Sequence, residues 1–136
     1  MKKVFVDADV ILDFLLDRDP YIIEITEIME ESVANEYSLC VSSVTISNLH
    51  YIISRIENRR SANSKIRKIL KLVRVENVGK TTVIKAIESE FKDFEDGIQN
   101  YCAEESNHKI IVKRNTKDYR GSNLAIMTPK EFLAGR

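Results

Sequence analysis

The chain has 136 residues, of which 43% are hydrophobic and 31% are charged, and its 21 basic and 21 acidic residues cancel. These values are typical of a soluble globular protein, and the length predicts one domain, residues 1–136, with a single core. A net charge of zero excludes the whole-chain basicity of many nucleic-acid-binding proteins. Because we find neither a signal-peptide pattern nor an apolar run near the roughly 20 residues of a membrane span, we expect a cytoplasmic protein with no membrane partner.

The charges are unevenly distributed along the chain. Residues 1–36 carry ten acids against three bases, and residues 76–106 carry eight acids against three bases. Between them, residues 55–74 carry eight bases and one acid. This basic segment either contacts phosphates or forms a solvated helix face, and the sequence leaves both interpretations open.

Predicted strands and helices alternate in chain order. A short apolar run ends abruptly at Asp7, and helical spacing of apolar residues follows at once. Such alternation predicts an α/β fold with a four- to five-stranded parallel sheet in three layers. The predicted strands are residues 4–6, 37–41, 73–78, 110–112 and 125–127. The predicted helices are one after Asp7, one opened by Asp19-Pro20 and ending at Glu31, then residues 44–58, 62–72, 81–90 and 93–106, and a last turn opened by Pro129.

The apolar spacing also predicts which helix positions face the core. We expect Ile56, Leu70 and Phe94 to lie on the buried faces of their helices. The two cysteines, Cys40 and Cys102, fall in apolar runs without zinc-type spacing, so we expect both to be reduced and buried.

Asp7 has two possible roles at the end of the first strand. In open α/β sheets, ligands bind outside the carboxyl ends of the strands, which is where Asp7 would lie. Asp is also a frequent helix N-cap residue, so Asp7 could serve only to start the helix.

Further polar residues follow the strands or open helices, and crossover connections bring such positions to one edge of a parallel sheet. They are Asp7, Ser42, Asn48, Asp93, Glu95, Asp96, Asn115 and Asp118. Carboxylates gathered in this way repel one another unless a cation offsets their charge. Because Mg²⁺ and Mn²⁺ prefer oxygen ligands, the pattern favours a metal site suited to phosphodiester hydrolysis.

Other chemistries fit poorly. His50 lies within a predicted helix and His108 in a turn, and neither has an obvious nucleophile beside it. The four glycines form no phosphate-binding loop.

Five motifs, in order, resemble those of the PIN-domain ribonucleases, including the VapC-like toxins of bacterial toxin–antitoxin modules. The resemblance extends from Val4 to Leu133. Two departures stand out: Asn48 takes the place of the family's glutamate, and Lys113 takes the place of a threonine. The motifs are Val6-Asp7-Ala8-Asp9-Val10, Ser42-Ser43-Val44-Thr45-Ile46-Ser47-Asn48-Leu49, Asp93-Phe94-Glu95-Asp96-Gly97-Ile98-Gln99, Ile111-Val112-Lys113-Arg114-Asn115-Thr116-Lys117-Asp118-Tyr119 and Pro129-Lys130-Glu131-Phe132-Leu133.

The resemblance implies strand order 3-2-1-4-5 and a Mg²⁺- or Mn²⁺-dependent endoribonuclease, acting on RNA, with a cognate antitoxin and a homodimeric state. It implies that Asp7, Asp96 and Asp118 hold the metal, although Asn115 is an alternative to Asp118. The remaining implied site residues are Asp93, Asn48, Asn115, Ser42, Thr45 and Arg114. Lys113 would meet a phosphate or partly neutralise the carboxylates.

Two hypotheses from different classes follow. In the first, the chain is an enzyme that hydrolyses RNA, and the basic segment 55–74 steers the substrate. In the second, Asn48 has removed turnover, and the chain is a PIN-fold module that binds RNA or protein.

Overall fold

A computed structural model describes residues 1–119 and 121–136, and at Asp118 it describes the backbone alone. Five strands in this part of the chain form one parallel sheet in the order β3-β2-β1-β4-β5, as predicted. The first strand is therefore central, with Phe5 opposite both Cys40 and Ile111. The strands are β1 (Lys3–Val6), β2 (Ser38–Ser42), β3 (Arg74–Glu76), β4 (Ile110–Val112) and β5 (Ala125–Met127).

The helices connect these strands and cover both faces of the sheet. The described residues form α1 (Ala8–Leu15), α2 (Ile22–Val33), α3 (Ser43–Ile56), α4 (Arg59–Leu70), α5 (Lys80–Glu88), α6 (Phe94–Glu105) and α7 (Pro129–Gly135), with a short 3₁₀ turn at Lys117–Tyr119. Side chains alternate along β1, so Val4 and Val6 enter the larger core beneath α1–α4 and α7. Phe5 enters a smaller core with Cys102 and Ala103 of α6.

Side-chain caps fix where four helices begin, and Asn58 is the cap of α4. Ser42 ends β2 and accepts a hydrogen bond from the backbone N–H of Thr45 at 3.0 Å, which starts α3. Asp93 accepts from the N–H of Asp96 at 3.1 Å and starts α6. Thr128 and Glu131 form a reciprocal capping box at the start of α7. Two of these caps place α3 and α6 at the same edge of the sheet.

The predicted position of Pro20 in its helix was wrong. Pro20 lies in a turn, and α2 begins two residues later at Ile22, whose N–H donates to the carbonyl oxygen of Arg18 at 2.8 Å. Three of the predicted inward positions were also wrong, because Ile56, Leu70 and Phe94 are all exposed. Each lies at a helix end, where the core no longer covers the apolar face.

The cysteine prediction is confirmed: Cys40 and Cys102 are buried free thiols on the side of the smaller core. Burial raises the pKa of both thiols, so they are poor nucleophiles. Within the described residues, every helix is too short or too polar to span a bilayer.

Candidate metal and nucleic-acid site

Asp7 lies at the carboxyl end of the central strand, between β1 and α1. It holds the N-cap position of α1, but its side chain makes no capping hydrogen bond. Its backbone N–H donates to the carbonyl oxygen of Val112 at 2.9 Å, which fixes it against the end of β4. The side chain of Asp7 therefore does not cap α1, and its role in a ligand site stays a prediction.

The Lys113 ammonium lies between two of the predicted metal-binding carboxylates. Its Nζ atom is 3.2 Å from Oδ2 of Asp7 and 3.7 Å from Oδ1 of Asp96. The three side chains are 9%, 10% and 15% exposed, respectively, so this contact is largely shielded from water. Nζ also lies 5.3 Å from the centre of the Tyr119 ring, whose hydroxyl donates to the backbone carbonyl of Asp96 at 3.1 Å. Two carboxylates and an aromatic face thus enclose one positive charge.

Burial and neighbouring carboxylates together set the electrostatics of this site. The pKa of the Asp7 carboxyl is raised to about 7, first by burial and then by the Asp9 carboxylate, while the Lys113 ammonium opposes the rise. Burial acts to lower the pKa of Lys113, but the carboxylates of Asp7, Asp9 and Asp96 raise it overall. Asp9 was not among the predicted site residues, although its position two residues after Asp7 was a usable signal. One of its carboxylate oxygens is buried and has no hydrogen-bond partner among the described residues.

The N-terminus of α6 supplies Asp96 and Asp93 in different ways. Asp96 faces Lys113, whereas Asp93 is exposed and its carboxylate caps the helix. Burial raises the pKa of the Tyr119 hydroxyl most, and the Asp7 carboxylate comes next. The Asp93 carboxylate makes a smaller contribution in the same direction, so its negative charge still acts on the residues around Lys113. The structure therefore brings Asp96 into contact with Lys113, whereas Asp93 serves as the cap of α6.

A buried hydrogen-bond network joins α3 to α6 beside the carboxylates. Gln99 donates from Nε2 to Oγ1 of Thr45 at 2.7 Å, and Ser42 donates to the same oxygen at 3.3 Å. Sequence reasoning missed Gln99, which lies three residues after Asp96 and hence on the same face of α6. Asn48 lies one turn after Thr45, and its Nδ2 atom is buried without a partner in the described part of the chain. The network fixes the spacing of the two helices that carry Asp96 and Asn48.

Residues after β4 have three different environments. The Arg114 guanidinium donates two hydrogen bonds to the Asp13 carboxylate, at 2.9 and 3.1 Å. Its central carbon also lies 4.2 Å from the centre of the Tyr21 ring. Asn115 is exposed, and its Oδ1 accepts from the N–H of Lys117 at 3.2 Å. The predicted role of Asp118 concerns its side chain, which lies outside the part of the chain that the structure describes. The choice between Asn115 and Asp118 therefore stays open.

The donor set fits a hydrated divalent cation. Asp7 and Asp96 present hard oxygen atoms toward a position that a positive charge already fills, and Mg²⁺ sites commonly use one or two carboxylates with waters. Among the described residues, no group of three or more His, Cys, Asp or Glu side chains is placed to hold a metal ion. A cation here would therefore depend on these two carboxylates and on waters. A cation bound here would lie at the carboxyl edge of the sheet.

The basic segment 55–74 forms the end of α3, all of α4 and the start of β3. Seven of its eight basic residues are exposed. The eighth, Lys65, pairs with Glu57 at 2.9 Å. Both interpretations of this segment remain possible, since a solvated helix face can also contact phosphates.

The two histidines have structural contacts. His50 bonds to Oδ1 of Asn63 at 2.7 Å. His108 is buried, bonds through Nδ1 to the Ser106 hydroxyl at 2.8 Å and packs edge-on against Phe5. Burial lowers the pKa of His108, so the neutral ring is favoured.

This strand order, with Asp7 after β1 and Asp96 on α6 at the carboxyl edge, is the arrangement expected of an α/β protein of the PIN class. The model of the PIN domain family matches residues 3–117. The chain belongs to this family.

Known relatives agree with this assignment. The chain is 32% identical to Ribonuclease VapC1 of Aquifex aeolicus, over 96% of this chain and 93% of that protein. Its fold is similar to the crystal structure of DNA-bound VapBC from Salmonella typhimurium, with a TM-score of 0.74 and 14% identity, covering 95% and 99% of the two chains. It is also similar to VapC20 of Mycobacterium tuberculosis, described as a sarcin–ricin loop cleaving toxin, with a TM-score of 0.69, 13% identity and coverage of 88% and 95%.

Proposed function

We propose that this chain is a divalent-metal-dependent endoribonuclease and the toxin half of a toxin–antitoxin pair. The observation that carries the proposal is the convergence of Asp7 and Asp96 on one cation position. The 32% identity to a ribonuclease over nearly the whole chain supports RNA as the substrate. The cation would be Mg²⁺ or Mn²⁺, both of which suit carboxylate oxygens.

Each residue of the site has a proposed task. Asp7 and Asp96 hold the cation, with Asp118 as a third ligand, and Asn48 orients a water through its amide. Asn115 is the alternative to Asp118. When bound, the metal supplies an activated water and stabilises the leaving oxygen. The Ser42–Thr45–Gln99 network keeps α3 and α6 at the spacing this geometry needs.

The surroundings bind and orient the RNA. The exposed lysine and arginine side chains of segment 55–74 attract the phosphate backbone of the RNA and make its binding salt-dependent. Arg114 has its guanidinium occupied by Asp13, so we assign it to shaping the edge of the site.

The partners are proposed from the relatives. Structural neighbours include VapBC and other toxin–antitoxin complexes, which supports a cognate antitoxin for this chain. We propose a homodimer as well, in which exposed apolar side chains such as Ile84, Ile87 and Phe94 become covered.

The test is RNA cleavage by purified protein in the presence of Mn²⁺. We expect Asp7→Asn and Asp96→Asn each to reduce the cleavage rate by about 100-fold or more, since each removes a charged ligand from the cation. Asp17→Asn is the matched control, because Asp17 is exposed with a φ of 51°, a conformation that Asn adopts readily. Equal cleavage by wild type and both site variants would contradict the proposal and point to a contaminating nuclease.

One observation favours the second candidate, a module that binds without turnover. A lysine already fills the position between the carboxylates, and such a site can exist without metal. If wild-type protein binds RNA but does not cleave it at any Mn²⁺ concentration, the binding module replaces the enzyme as the function.

A further inference from the structure

We infer that Lys113 is a tethered cation that closes the metal site, so that a divalent ion binds only when the lysine side chain withdraws. The inference deepens the proposed function by naming the group that a metal must displace. It makes Lys113 a positioning residue that sets the metal affinity of this particular chain.

Geometry is the first support. A Mg²⁺ ion binds carboxylate oxygens directly, at about 2.0–2.1 Å. Nζ of Lys113 is 3.2 Å from one of the candidate oxygens and 3.7 Å from the other. An ion held by Asp7 and Asp96 would therefore compete with the ammonium for the same two carboxylates.

The enclosure of the ammonium is the second support. The Lys113 side chain is only 9% exposed, and its charged end lies over the Tyr119 ring as well as between the two carboxylates. A surface lysine that met a carboxylate by chance would be mostly solvated. The Lys113 ammonium is instead surrounded by two carboxylates and an aromatic ring.

The anchoring of the backbone determines how the site can open. The N–H of Lys113 donates to the carbonyl oxygen of Met127 at 2.9 Å, so its main chain is held at the end of the sheet. The four-carbon side chain is flexible and can rotate away without moving the strand. Withdrawal of the ammonium from the two carboxylates would thus move the Lys113 side chain and not its backbone. A phosphate group of the RNA would then be a new partner for the displaced ammonium.

Charge balance explains why the carboxylates need a positive charge between them. The carboxylates of Asp7, Asp9 and Asp96 all act on Lys113. Without a positive charge between them they would repel one another. Lys113 supplies that charge in the metal-free protein, and the divalent ion supplies it in the active one.

The experiment measures Mn²⁺ binding directly, by titration calorimetry on metal-free protein without RNA. We expect Lys113→Met to bind Mn²⁺ at least about tenfold more tightly than wild type, because the competing positive charge is gone. Lys109→Met is the matched control: it removes the same charge from an exposed residue just before the same strand, and its affinity should equal that of wild type. Lys113→Arg keeps the charge and should retain the weak binding of wild type.

A second readout keeps the inference testable if Lys113→Met folds poorly. Lys113→Gln retains a hydrogen-bond donor, and we expect Mn²⁺ to raise its melting temperature by more than that of wild type. Equal or weaker Mn²⁺ binding by both neutral variants would overturn the inference, as would the absence of binding by all proteins at millimolar Mn²⁺. If wild type still cleaves RNA and Asp7→Asn does not, such a result leaves the proposed function intact.

Discussion

Two buried aspartates lie at opposite ends of α1, and nearby cations neutralise them to different extents. Asp13 lies at its C-terminal end, where Arg114 contacts it at 2.9 and 3.1 Å and Arg18 approaches to 3.7 Å. Asp7 lies at the other end and shares the single ammonium of Lys113 with Asp9 and Asp96. Burial raises the pKa of both carboxyls, but only Asp13 has two cations that oppose the rise.

The two cations come from adjacent residues. Lys113 and Arg114 follow β4 directly, and their side chains contact different partners. One is directed into the carboxylate cluster and the other toward α1. The Asp13 cluster thus has two cations for one carboxylate, whereas the Asp7 cluster is under-neutralised, with one cation among three carboxylates, which supports the proposal that it binds a metal ion.

The largest expected effect on stability is that of Asp7→Asn. Above pH 7, in EDTA, we expect this variant to raise the free energy of unfolding by about 2–4 kcal/mol, because the buried carboxylate no longer has to be ionised. The quantity to measure is the difference from wild type in urea unfolding between pH 5 and pH 8.

The sign of the pH dependence follows from the raised pKa of Asp7. Its pKa is about 7 in the folded protein and near 3.8 in an unfolded chain. Between these values the unfolded chain releases the proton and the folded protein keeps it, so wild type loses this stability as the pH rises. The advantage of Asp7→Asn should grow from pH 5 to pH 7 and then level off. A flat difference, or one matched by Asp17→Asn, would contradict the comparison between the two aspartates.

Arg114→Met should have the opposite effect on stability. Removing one partner of a buried pair leaves an uncompensated charge, and because Arg114 is partly exposed and Arg18 remains, we expect a loss of about 1–2 kcal/mol. Arg67→Met, on the exposed face of α4, is the matched control. If Arg114→Met is as stable as wild type at neutral pH, Asp13 does not depend on its guanidinium partner.

The smallest expected effect concerns the charge contributed by α3. Asn48→Glu adds a carboxylate to the under-neutralised cluster, so it should lower the Mn²⁺ concentration for half-maximal RNA cleavage by roughly threefold to tenfold. Asn48→Gln is the control for side-chain length without charge. An unchanged Mn²⁺ requirement would mean that residue 48 does not face the metal.

Much of the fold was predictable from hydrophobic patterning. The strand positions and the alternation with helices follow from short apolar runs and amphipathic spacing, and the family resemblance added the strand order. Helix ends were less predictable: periodicity alone placed Ile56, Leu70 and Phe94 in the core, although tertiary packing ends before them. The extent of the domain, residues 1–136, stays a prediction.

The sequence indicated which residue types gather at this edge of the sheet, but not which side chains contact one another. The positions of Asp7 and Asp96 after a strand and at a helix start indicated a shared edge, and the structure brings both to Lys113. The contact of Arg114 with Asp13 could not be read from the sequence, because the two residues are far apart in the chain. The same holds for the hydrogen bond between Gln99 and Thr45.

The central position of β1 also affects how the protein is made. Asp7 leaves the ribosome well before Lys113 and the neighbouring strand β4, because both lie far later in the chain. Pairing of distant segments is slow and cannot begin until the later one has emerged. A nascent chain therefore carries an unpaired Asp7 at the edge of a half-built sheet, and it acquires Lys113 only when the last part of the sheet assembles. Incomplete chains lack the assembled site altogether.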